Sequence, residues 1–276
     1  MILDKVSYHA VYDDSLLHAL RYALDNGFTG IQVDAQSPHL SFERLSDADC
    51  REIREFITRH SMRLIVHTPD DNVSLYETSR YLREGILSYY ESLFAFAEKA
   101  GAQIVTFHLG NLATWKTDTE PFEAQPAADI PVYHEALESN LERLIGMADG
   151  RFVLCLESFK LNALEMLQSF LDDGRLSLCW DLAKTAGPEY EAFLWKNLGH
   201  IRQVHLHDIR DGRSHRVIGT GEIDFMHFLP RLSEAEVMDY CIEVRPREKA
   251  LESLENLRRL LSEASNVEHR TSNIEL

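Results

Sequence analysis

The residues of this chain best suited to chemistry stand at the ends of short apolar runs. Gln203-Val204-His205-Leu206-His207-Asp208 closes in two imidazoles and a carboxylate, and a Gly-rich polar loop from Ser214 to Phe225 lies just behind it. Leu154-Cys155-Leu156-Glu157, Ser177-Leu178-Cys179-Trp180-Asp181 and Cys241-Ile242-Glu243 end just as abruptly in carboxylates. These four ends are expected to meet around one metal ion. Oxygen-rich ligation with one imidazole suits a divalent cation, Mn²⁺ foremost, with Mg²⁺, Co²⁺ or Zn²⁺ as alternatives.

Two further runs end in imidazoles, Arg63 to His67 and Gln103 to His108. Three carboxylates overcompensate a +2 ion, so a second ion or a protonated Glu enters consideration. His67 and His108 would be the natural ligands of a second ion, or would bind substrate hydroxyls instead. Cys155, Cys179 and Cys241 each lie two residues before a carboxylate, so alternation places the thiols beneath the metal. They read as small apolar filler, or more sharply as a soft-ligand layer able to trap zinc.

The elements that position these ends repeat as strand-like run, loop and amphipathic helix. Leu16, Leu17, Leu20, Ala23 and Leu24 recur at helical spacing and Asn26-Gly27 stops them. Ser46 and Asp47 are candidate caps for a helix carrying Ile53, Phe56 and Ile57. A long helix from about Glu77 to Ala100 meets Gly101 in the C′ role. Strand runs near Lys5–Tyr8, Gly30–Asp34, Arg63–His67, Gln103–His108, Phe152–Glu157, Leu176–Asp181, Ile201–His207 and Val237–Val244 alternate with helices to the end of the chain. That alternation predicts a single α/β domain, a (β/α)₈ TIM barrel over residues 1–265. A doubly wound sheet is disfavoured because the first turn, Tyr8-His9-Ala10-Val11, has no glycine. In such a barrel the carboxyl ends of the strands carry the active site. The irregular loop 111–131, with Trp115, Pro121, Pro126 and Pro131, would follow the fourth strand and is read as a lid. Residues 266–276 read as a polar, frayed tail.

Composition narrows the class. The 276 residues carry a formal charge of −17, and no basic patch of the kind that holds phosphate backbones is evident, so nucleic acid is not an expected partner. No apolar run reaches the roughly 18 residues that cross a bilayer, which excludes a membrane-spanning role. The amino-terminal residues lack a signal-peptide pattern, and the four cysteines show no C-x-x-C spacing. A cytoplasmic protein with reduced thiols is the expectation.

Val66-His67-Thr68-Pro69, Thr106-Phe107-His108-Leu109-Gly110-Asn111, Leu156-Glu157-Ser158, Trp180-Asp181, Val204-His205-Leu206-His207-Asp208, Ile218-Gly219-Thr220-Gly221-Glu222-Ile223-Asp224-Phe225 and Ile242-Glu243 together resemble the xylose isomerase-like TIM barrel superfamily. That group contains metal-dependent sugar and sugar-phosphate isomerases and epimerases, and also endonuclease IV-like apurinic endonucleases. The resemblance to the ketose epimerases implies that Glu157, Asp181, His205 and Glu243 ligate the metal, with Glu157 and Glu243 also the acid/base pair. It implies a small polyhydroxy carbonyl substrate, proton transfer alpha to the carbonyl, and, as in many barrels of the group, a homodimer. His67, His108, Lys184 and Arg216 are the expected substrate-binding residues, with Lys184 read alternatively as a cap on the metal site's negative charge or as an ordinary loop lysine, while His207 and His215 join His67 and His108 as candidates for a second metal or for support of the ligands.

Departures from the pattern matter. A histidine common three residues after the sixth-strand aspartate is Lys184 here, and the endonuclease's Asp two residues before His215 is Arg213. Efficient cleavage of apurinic sites is therefore not expected, and robust incision of an abasic duplex with metal supplied would refute this. The glutamate often found on the second strand is Gln32. The competing readings are a metal-dependent phosphodiesterase of the endonuclease type and a non-catalytic ligand-binding barrel.

Overall fold

The computed structural model describes residues 1–69, 73–111, 131–158, 160–185 and 187–272, with side chains to 263. Its barrel strands are β1 (Val6–Ala10), β2 (Gly30–Asp34), β3 (Arg63–His67), β4 (Ile104–Phe107), β5 (Val153–Glu157), β6 (Ser177–Asp181), β7 (Ile201–Leu206) and β10 (Asp239–Ile242). They close in the order β1-β10-β7-β6-β5-β4-β3-β2, every pairing parallel. The expected (β/α)₈ barrel is thus present. A short antiparallel hairpin, β8 (Asp208–Arg210) with β9 (Arg213–Arg216), rises from the end of β7.

Helices α1 (Leu16–Asp25), α2 (Asp47–His60), α3 (Arg80–Ala100), α4 (Pro131–Ala148), α5 (Leu161–Met166), α6 (Gln168–Asp172), α7 (Pro188–Lys196), α8 (Phe225–Ser233) and α9 (Arg247–Ser272) alternate with the strands. Local signals set their ends. Ser46 caps α2 with Asp49 completing a reciprocal box, which satisfies two otherwise orphaned N–H groups. Gly101 stops α3 at φ +81°, a conformation that glycine adopts without strain. The single helix expected after β5 is broken at Leu167 (φ −93°, ψ 9°) into α5 and α6. The helix α9 runs to Ser272, into the stretch read from sequence as a polar tail. The loop read as a lid lies almost wholly outside the described residues, as do the side chains of the tail.

The main apolar core fills the layer between sheet and helices, where Leu16, Leu20, Leu64, Phe94, Leu141, Leu164, Trp180 and Leu229 pack. Ile65, Ile104, Cys155 and Cys179 form a second, smaller cluster on the other face of the strands. Cys155 and Cys179 thus pack with Ile65 and Ile104 in the barrel interior. Burial pushes the Cys155, Cys179 and Cys241 thiols above their ordinary range, which keeps them protonated at neutral pH.

The glycine loop behind β7 is tied down by one carboxylate. Asp208 is fully buried and accepts from the backbone N–H groups of Ile209 (2.8 Å), Gly221 (2.8 Å) and Ile223 (3.0 Å). A Cβ at Gly221 would stand 2.5 Å from Asp208 Oδ1 and also collide with the Ile209 carbonyl, so close backbone approach requires glycine there. Asp208→Ala strands three N–H donors and is expected to cost about 2 kcal/mol. The measurement is the denaturant midpoint at unchanged slope, and a loss under about 0.5 kcal/mol would mean that the loop is held by something else.

Candidate active site

Closure of the barrel turns separate strand ends into one cluster. Asp181 on β6 is in register with His205 on β7, and His205 with Cys241 on β10; Glu157 on β5 is in register with Cys179. Neighbours in a parallel sheet point the same way and alternate residues share a face, so Glu157, Asp181, His205 and Glu243 all face the barrel axis. Each is 4 % exposed or less.

His205 is held in one tautomer. Gln32 donates its amide N–H to Glu243 Oε1 (2.7 Å), which orients the Gln32 carbonyl oxygen toward His205 Nε2 (3.1 Å) and Gln203 Nε2 (2.6 Å). An amide oxygen only accepts, so Nε2 of His205 carries a proton, and in the neutral ring the lone pair is on Nδ1. That Nδ1 is buried 3.2 Å from Glu157 Oε2 and 3.4 Å from Glu243 Oε1, yet aligns with neither to form a hydrogen bond. A lone pair confined between two carboxylates is a position that a cation would satisfy. Ligand atoms of Asp181, His205 and Glu243 lie within 4.8 Å of one another, as do those of His67, Glu157 and His205. By donor chemistry and by this orphaned nitrogen, the residues fit a divalent ion.

His67 donates from Nδ1 to the Thr68 carbonyl (2.9 Å) and brings Nε2 to 3.1 Å from Glu157 Oε2. His108 Nε2 lies 3.4 Å from the same oxygen and 3.4 Å from His67 Nε2. Both imidazoles thus border the cluster on the Glu157 side. His207 is also fully buried. Its Nδ1 accepts the His215 backbone N–H (3.0 Å), so Nε2 is the donor and meets both oxygens of Asp181 at 3.1–3.2 Å. That tautomer suits support of Asp181 better than ligation through Nε2. The His215 ring stacks on His207 with centroids 4.3 Å apart and donates from Nδ1 to the Glu243 carbonyl (2.9 Å). Ligand atoms of His207, His215 and Glu243 nonetheless form a third close set.

Lys184, in the 3-10 turn after β6, brings Nζ to 3.0 Å from Asp181 Oδ2 and 3.4 Å from Glu157 Oε1. Arg216 ends β9 half-buried, and among the described residues no ion pair joins it to these carboxylates.

Burial alone would raise the Glu157 and Glu243 carboxyls, but the neighbouring imidazoles, His205 first, outweigh it and hold both well below the usual carboxylate range, and the two carboxylates in turn raise His205 above the ordinary imidazole range. Both stay ionised at neutral pH.

Several contributors lie inside strands rather than at their ends. His9 on β1 is buried with Nδ1 4.0 Å from Glu243 Oε1. Beneath the cluster, Gln203 accepts a short hydrogen bond from Thr106 and links Gln32 to Asp239, which in turn accepts from Ser7 (2.7 Å) and Arg63 (3.4 Å). The signal that marks them is a polar residue recurring at every second position of an otherwise apolar strand.

His9 gives the molecule a pH signature. Burial drives its pKa from 6.5 down to about 3. Between those values the unfolded chain binds a proton that the folded chain refuses, so stability falls as pH drops, by up to about 1.4 kcal/mol per pH unit for this group. In metal-free buffer this group alone contributes a loss of about 1 kcal/mol between pH 6.5 and 5.5, so His9→Gln is expected to lose about 1 kcal/mol less than wild type over that interval. Equal losses in both proteins would place the proton uptake elsewhere.

A family profile for the xylose isomerase-like TIM barrel matches residues 20–260. The chain belongs to this family. A search of curated protein sequences returns no match. Among solved structures, this xylose isomerase-like barrel is similar to a D-tagatose 3-epimerase-like protein (TM-score 0.77, 18 % identity, 95 % of this chain and 98 % of the other). It is similar to an L-ribulose 3-epimerase (0.72, 14 %, 98 % and 97 %) and to the 3-keto-D-glucoside 4-epimerase of E. coli (0.69, 16 %, 92 % and 99 %). At these identities the likeness shows a shared fold over the full length of the barrel. Among the described residues, no helix of this family member is long and apolar enough to cross a membrane.

Proposed function

We propose that the protein is a divalent-metal-dependent isomerase or epimerase of a small sugar or sugar phosphate, moving a proton at the carbon alpha to a carbonyl. The observation that carries this reading is the buried Nδ1 of His205, facing Glu157 and Glu243 without a hydrogen bond while Gln32 holds the opposite nitrogen protonated. Glu157, Asp181, His205 and Glu243 would hold the ion. When bound, it would supply polarisation of a substrate carbonyl and so acidify the neighbouring C–H bond.

The remaining chemistry belongs to the chain. Glu157 and Glu243 come from strands separated by β6 and β7 in the closed order, so their carboxylates approach the barrel mouth from different directions. One takes the proton from one face of the carbon and the other returns it to the opposite face. His67 and His108, which lie beside Glu157, would bind substrate hydroxyls. The family's sugar epimerases support the substrate class, and the E. coli neighbour is by name a 4-epimerase of a keto-glucoside.

The test is proton exchange. Apo protein loaded with Mn²⁺ or Mg²⁺ and incubated in D₂O with a panel of ketoses and ketose phosphates should incorporate deuterium at one carbon alpha to the carbonyl, read by NMR. Chelator should stop the incorporation and added metal restore it. Absence of exchange across the panel, with metal bound, would overturn the proposal.

A further inference from the structure

We infer that Lys184 is the resident third positive charge of this site, so that the barrel holds one divalent cation and not two. This rests on the metal-dependent reading above and adds to it the charge balance of the site. Glu157, Asp181 and Glu243 bring three negative charges into a space where each is 4 % exposed or less. One divalent ion leaves one of those charges uncompensated, and a buried unpaired charge is strongly unfavourable. An imidazole that ligates must be neutral, so His205 does not close the gap once a metal is bound.

Lys184 does. Its ammonium stands between the two carboxylates of neighbouring strands, 3.0 Å from Asp181 Oδ2 and 3.4 Å from Glu157 Oε1. Among the described residues, no other lysine or arginine lies within 4.0 Å of the three carboxylates. Of the three close ligand sets, none joins Glu157 to Asp181, and the gap between those two is where Lys184 reaches. The sum is −3 from the carboxylates, +2 from one ion and +1 from Lys184. A second divalent ion on the His67 and His108 side would leave the site at +2, with Lys184 repelling both ions.

The experiment is a Mn²⁺ titration of chelator-treated protein by calorimetry, with elemental analysis of the isolated complex, on wild type, Lys184→Met, Lys184→Gln and Lys184→Arg. Wild type and Lys184→Arg are expected to bind one ion per chain with similar affinity. The two neutral variants are expected to bind it at least about tenfold more tightly or to take up a second equivalent, because a like charge beside two ligands has been removed. The neutral pair guards against one substitution failing to fold, which circular dichroism checks. Neutral variants that match wild type in stoichiometry and in affinity within twofold would overturn the inference, as would weaker binding in both. Binding in the neutral variants but none in wild type would leave the charge role standing and sink the metal-dependent function. No binding in any of the four proteins would sink both.

Discussion

Glu157→Gln is expected to empty the metal site and to lower alpha-proton exchange by about 10³-fold or more. The reason is the crowding around this one carboxylate. Its Oε2 faces His67, His108 and His205 at 3.1–3.4 Å, and its Oε1 faces Lys184 at 3.4 Å. An amide in that place removes the negative charge and one of the two carboxylate oxygens that face the imidazoles and the ammonium. On the proposed roles the ion would lose a ligand, Lys184 half its compensation, and the proton transfer one of its two carboxylates. Metal analysis of the purified variant and deuterium incorporation measure the two effects separately. A variant that retains one ion per chain and exchanges protons at more than a tenth of the wild-type rate would remove Glu157 from both roles.

Gln32→Leu carries the second large effect, without touching a proposed ligand. Gln32 donates to Glu243 and accepts from His205, so one amide fixes the orientation of a carboxylate and the tautomer of an imidazole. Leucine is close in volume but has no hydrogen-bonding groups, leaving Nε2–H of His205 and an oxygen of Glu243 buried and unpaired. Loss of such an orienting partner typically weakens metal binding 10- to 100-fold, and about 100-fold is expected here because two ligands lose their support at once. Calorimetric Mn²⁺ affinity reads the loss, and the ¹⁵N shifts of the His205 ring report a changed tautomer balance. Gln32→Glu is expected to do less harm to His205, which keeps an acceptor, but to place a second carboxylate where Glu243 now accepts at 2.7 Å. If Gln32→Leu bound Mn²⁺ within threefold of wild type, Gln32 would have no part in preparing His205 for the ion.

Much of this architecture is legible in the chain itself. Alternation of β-rich runs with leucine periodicity points to the barrel, and Gly101 and Ser46 mark helix ends because their chemistry is local. The strand-end residues Glu157, Asp181, His205, His67, His108 and Glu243 are legible for a related reason. A carboxylate or imidazole that abruptly closes an apolar run has few structural explanations, and a barrel gathers its strand ends on one face.

Residues within the strands are harder to read. His9, Thr106, Gln203 and Asp239 are polar residues at alternate strand positions, the same pattern that a solvent-facing side of a sheet would show. Only closure of the sheet decides that this side is an interior, and only then do Gln203 and Asp239 become the floor beneath Gln32. Gln32 itself stands out in the sequence as a departure from the family glutamate, but its partners sit 171 to 211 residues away. Lys184 is the sharpest case. Its position three residues after Asp181 suggests a role in the site, while the choice between substrate and carboxylates depends on where a flexible four-carbon stem points. Sequence by itself determined which groups were available and that they sat at strand ends, since both are properties of local pattern. The tertiary structure decided which of them touch, which imidazole nitrogen is left bare, and which charge Lys184 answers, since side-chain direction and long-range register exist only once the barrel has closed.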